Sequence, residues 1–113
     1  MNKKTFVSAA IMFASVNVAF AECTAPTGTP IIPDGNVASK DELIAAQGAV
    51  KNFQALNLDY LKCIDGKRAE LDPEAAETAQ QMGEFQALED AAIAMEEKLA
   101  DEFNTARKAF MDR

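Results

Sequence analysis

Between Phe85 and Phe110 the chain sets Phe85, Leu88, Ala92, Met95, Leu99, Phe103, Ala106 and Phe110 at intervals of 3, 4, 3, 4, 4, 3 and 4. Only a helix gathers such positions onto one face; a strand, with its period of two, scatters them over both. A second series, Leu43, Ala46, Val50, Phe53, Tyr60 and Ile64, obeys the same spacing, broken only by Asn57 where an apolar residue is due. Two amphipathic helices, each with one stripe to bury, predict an all-α fold: a two-helix antiparallel hairpin, coiled-coil-like in its packing. Asn57 reads as a register device or as a solvated edge of the stripe.

Local signals set the expected ends of the helices. Ser39-Lys40-Asp41-Glu42 is a capping box, with the serine hydroxyl and the glutamate each satisfying one free amide. Asp65-Gly66 offers a glycine stop, with Lys62, Lys67 and Arg68 near the negative helix end. Asp72-Pro73-Glu74 then reads as cap, first helical position and acidic first turn. The expected helices are therefore about 39–65 and 72–112. Gly83 is a weak point where the second could kink or split.

Ahead of the helices lie two segments of different character. Met1-Asn2-Lys3-Lys4 is basic, and an apolar run of about 16 residues follows, ending in Ala19-Phe20-Ala21. That is the layout of a secretory signal peptide, too short for a spanning helix of about 20 residues, with cleavage expected after Ala21. The 113 residues less these 21 leave 92, room for one small domain. Residues 22–38 are rich in Pro, Gly and Thr; Pro26, Pro30 and Pro33 fix φ and remove donors, so an extended segment with a turn at Pro33-Asp34-Gly35 is expected.

Cleavage also removes Lys3 and Lys4 from the 11 basic residues, leaving 9 against 18 acids, a charge of −9. So negative a surface repels nucleic acid and anionic lipid alike, and no stable membrane anchor remains after cleavage.

The two cysteines, Cys23 and Cys63, admit few roles. A lipoprotein leader needs a small residue before the modified cysteine, and Glu22 stands there. Thioredoxin-type chemistry needs Cys-x-x-Cys, and structural zinc needs three or four Cys or His ligands in a chain with no histidine. A disulfide between Cys23 and Cys63 remains, suited to an oxidising compartment. The geometry allows it. Ser39 to Cys63 spans about 36 Å as a helix, and the 16 steps from Cys23 to Ser39 reach about 50 Å when extended, so the Pro-rich segment can run back along the first helix and be locked at its far end.

The run Cys23-x-x-Pro26, Pro30-x-x-Pro33-Asp34-Gly35, Ala38-x-x-x-Glu42-Leu43 and Tyr60-Leu61-x-Cys63 resembles a family of small uncharacterised exported proteobacterial proteins. The likeness covers about the first half of the mature chain and implies a periplasmic protein. It carries over no activity.

Without histidine there is no ordinary general base near neutral pH and no Ser-His or Cys-His dyad. The carboxylate pairs Glu89-Asp90, Glu96-Glu97 and Asp101-Glu102 fall on the expected solvated side of a helix, where glycosidase-like chemistry across a cleft has no place. Glu97 and Asp101, one turn apart, could share a divalent cation, but no calcium-loop pattern accompanies them. Met82, Met95 and Met111 read as packing residues, not as a copper(I) set. The expectation is a non-enzymatic protein with no catalytic residue, metal or cofactor. The alternative is a small-ligand or divalent-cation-binding module using the acidic helix face. With helices of about 25 and 40 residues, the longer should overhang by about 15 residues. That overhang would expose Leu99, Phe103, Ala106 and Phe110 as a partner-binding stripe for a second copy or another envelope protein.

Overall fold

A computed structural model describes residues 23–113. The expected signal peptide, 1–21, lies outside the described residues. Two helices and no strand make up the regular structure of the described part. Helix α1 runs Lys40–Ala69, 30 residues, and helix α2 runs Thr78–Asp112, 35 residues. They lie antiparallel.

The N-terminus of α1 forms as its sequence dictates. The Glu42 amide donates to Ser39 Oγ at 3.1 Å, and the Ser39 amide donates to Glu42 Oε1 at 2.8 Å. Two of the four orphan amides of a helix start are thereby satisfied. The C-terminus departs from expectation, because α1 continues through Gly66 to Ala69. Ile64 is fully buried, and Arg68 reaches Glu89 of α2 at 3.3 Å. These contacts outweigh the roughly 1 kcal/mol that a glycine costs inside a helix. The Arg68 pairing is ionic; its angles are not those of an aligned hydrogen bond.

Helix α2 starts later than Asp72. The Asp72 carboxylate accepts the Glu74 amide at 2.8 Å, and its carbonyl accepts the Ala75 amide at 3.1 Å and the Thr78 hydroxyl. Asp-Pro-Glu thus closes a turn of the connection, and the helix begins at Thr78 with no side-chain cap from Glu77. Gly83 neither splits nor ends α2, which is continuous to Asp112.

The core is a line of three clusters along the interhelical seam. Tyr60, Ile64, Phe85 and Ala92 fill the end nearest the connection, with Cys23, Leu71 and Leu88 against them. Val50, Phe53 and Leu99 form the middle. Ala38, Leu43 and Ala106 close the far end. Asn57, 2% exposed, sits within this line, and its Nδ2 donates to the Ala92 carbonyl and to Glu96 Oε1, both at 3.1 Å. Asn57 is therefore a buried, hydrogen-bonded member of the seam and not a solvated edge of the stripe.

The Pro-rich segment is the third layer. The Cys23–Cys63 disulfide, with Cα atoms 5.6 Å apart, holds one end to α1. Ile32, further along, packs against the middle and far clusters. The segment therefore runs antiparallel to α1, over the seam.

Candidate functional site

The stripe expected to bind a partner is built into this core. Leu99 is 1% exposed among Val50 and Phe53, and Ala106 is buried against Ala38 and Leu43. Phe103 and Phe110 are half-buried at the edges of the same clusters. The unpaired overhang is not present. Pairing Ile64 with Phe85 and Leu43 with Ala106 leaves the two helices nearly level, because α1 gains residues past Gly66 and α2 loses those before Thr78. Length counting failed because both expected ends were misplaced in the direction that enlarged the difference.

The seam between α1 and α2 has two sides, and they differ. On one, residues 24–36 lie over α1 residues from Phe53 to Cys63 and α2 residues from Leu88 to Ala109. Met95, in the stripe but 40% exposed, lies at this edge beside Ala25, Pro26 and Thr29. At Gly35 the segment meets Ala106 of α2 backbone to backbone. A Cβ on Gly35 would stand 1.8 Å from the Ala106 carbonyl oxygen, so only glycine beside alanine permits the approach. Asp34 shapes the turn by accepting the Asn36 amide at 2.9 Å and the Asn36 side-chain amide at 3.0 Å. Those bonds, backbone first, hold its carboxyl below the ordinary 3.8. Arg113 fastens the C-terminus to the turn, donating to the Gly35 carbonyl at 3.2 Å while its guanidinium lies 4.7 Å from the centre of the Phe110 ring.

No part of residues 23–39 lines the other side. Two adjoining clefts of about 300 and 290 Å³ share Gln47, Phe103 and Arg107 and form one groove along α1 from Lys40 to Gln54 and along α2 from Ala100 to Met111. Its floor is Leu43, Val50, Phe103 and Phe110. Ile44, 55% exposed, and Met111, 65% exposed, stand at its lips. Lys40, Lys51 and Arg107 are the charged side chains that line it, and no carboxylate does. In a chain with 18 acids and 11 bases that is a local reversal of charge.

Toward the connection the same side of the seam is closed by polar pairs. Glu89 meets Arg68 and Glu96 meets Asn57. Positions 89, 96, 103 and 110 recur every seven residues on α2, the first two being Glu and the last two Phe. The seam is therefore sealed by hydrogen bonds and an ion pair over one half and left apolar and open over the other. Sequence reasoning named Phe103 and Phe110 but missed Ile44, Met111 and the basic lips. The usable signal was that glutamate-to-phenylalanine change in the column.

Among the described residues, no group of three or more Cys, Asp or Glu side chains is placed to hold a metal ion, and no helix is long and apolar enough to cross a membrane. Comparison with protein-family models, curated proteins and solved structures gave no match.

Proposed function

We propose that this is an exported, non-enzymatic protein of the periplasm that acts through protein–protein contacts, and that the open half of the seam is its contact surface. The signal-like N-terminus and the disulfide support export. The single observation that carries the surface is the contrast between the two sides of one seam. Residues 24–36 cover the first; the second keeps Ile44 and Met111 in water over an apolar floor. Burying a large apolar side chain is worth about 1.5–3 kcal/mol, so an occupant of this groove would gain from each of them.

A photocrosslinking residue placed at Ile44 or Met111 in exporting cells, and as control at Ile93, which lies along α2 beyond the end of the groove at Ala100, tests this. The expected result is a discrete adduct from the two groove positions and none from Ile93. Equal labelling from all three, or no adduct from the groove, contradicts the reading. The cation-binding alternative is tested by calorimetric titration with calcium, zinc and copper; saturable heat at micromolar metal would favour it over the contact reading.

A further inference from the structure

The groove's chemistry also restricts what can lie in it. From its basic lips and its helical walls we infer that the occupant is an amphipathic α-helix with acidic residues flanking its apolar stripe. The inference rests on the open seam being a contact surface.

Length and hydrogen bonding select a helix. The groove follows α1 from Lys40 to Gln54, about 21 Å or four turns at 1.5 Å per residue. Away from the Lys40 and Met111 ends, both walls are helix interiors whose backbone amides and carbonyls bond within their own turns, so they offer an extended peptide no ladder. The chain's own extended segment shows what such a lining requires. Among the described residues no backbone-to-backbone hydrogen bond joins residues 24–33 to either helix, and three of its positions are prolines. A foreign peptide without that proline content would desolvate its amides unpaired, whereas a helix brings them already satisfied and presents residues at i, i+3 and i+4 to a groove.

Charge selects acidic flanks. Lys40 and Arg107 stand over one cleft, Lys51 and Arg107 over the other, and no acid lines either. A second copy docked by a two-fold axis through the groove would set these lysines and the arginine against themselves, which like-charge repulsion opposes. Carboxylates on either side of an apolar stripe meet both requirements together.

The probe is a pair of fluorescent 18-residue peptides with one leucine stripe at helical spacing, flanked in one by glutamate and in the other by lysine. Anisotropy titrations use the oxidised protein with the leader removed. At about 0.05 M salt the glutamate peptide is expected to bind at least about tenfold tighter than the lysine peptide, and the gap should shrink at about 0.5 M. Arg107→Glu should reverse the preference, and Ile44→Asp should weaken both peptides. Ile31→Asp, on the covered side, should change neither, and circular dichroism checks that each variant folds. Equal affinity for the two peptides, or binding of neither, overturns the acidic helix. A peptide-free protein that sediments as a dimer and becomes monomeric on Ile44→Asp also overturns it, in favour of a second copy. The reading of the seam as a contact surface is judged apart from these outcomes, by the Ile44 and Met111 crosslinks.

Discussion

Three residues hold this arrangement by chemistry that a neighbouring residue type could not supply. Gly35 is one, since any Cβ there meets the Ala106 carbonyl. Gly35→Ala should cost about 1–3 kcal/mol in urea unfolding, as overpacking does elsewhere, and should lift the turn from α2. Asn57 is the second. Asn57→Asp keeps the shape but faces the Ala92 carbonyl and the Glu96 carboxylate with an acceptor instead of a donor. The loss expected at pH 7 is about 3–5 kcal/mol, the cost of an unpaired buried charge. Such an acid has a folded pKa above its unfolded value, so the variant's deficit should narrow below about pH 4 and widen as pH rises through the raised value. Glu42 is the third. Its bonds to Ser39, backbone first, hold its carboxyl below the ordinary 4.5, as those to Asn36 hold Asp34 below 3.8. A depressed folded pKa gives stability that is present above the unfolded value and lost as pH falls through the folded one. Melting temperature should therefore drop as pH falls from about 5 to 3, and Glu42→Gln should flatten that slope. Of these residues, the capping box was plain in the sequence, Asn57 was ambiguous, and the demand on Gly35 was invisible, because it depends on a contact with a residue 71 positions away.

The elements were legible where period and covalent chemistry speak, and less so at their ends. Heptad-like spacing identified both helices, and elimination among the possible uses of Cys23 identified the disulfide. The ends of the helices at the connection were not legible, because Asp-Pro-Glu serves as well for an Asx turn as for a helix start. Gly66 likewise tolerates a helix interior when its neighbours pack well. The overhang inferred from those ends disappeared with them. What joins the elements is the staple, which closes a separation of 40 residues and should contribute about 4 kcal/mol in the chain-entropy account. Reduction should lower the melting temperature and release the segment around Cys23, while far-ultraviolet circular dichroism retains most of the helix. A loss of helix in step with reduction would mean that the hairpin depends on the segment for its folding.

For the molecule as a whole, the stripe expected to bind a partner divides between core and edge. Leu99 and Ala106 are core, and Leu99→Ala should cost about 2–5 kcal/mol. Ile44 and Met111 are exposed, and their replacement should leave stability within about 0.5 kcal/mol while weakening the proposed contact with an acidic helix. Which apolar residues belong to which class depends on the side of the seam that residues 24–36 cover. No periodicity in a single chain records that choice. Methyl spectra of the isoleucine- and methionine-labelled protein, titrated with the glutamate-flanked helical peptide, test most directly whether the open seam holds an acidic helix. The account predicts that the signals of Ile44 and Met111 shift while those of Ile31 and Ile93 stay in place; shifts at Ile31 or Ile93 with Ile44 and Met111 unmoved would contradict it.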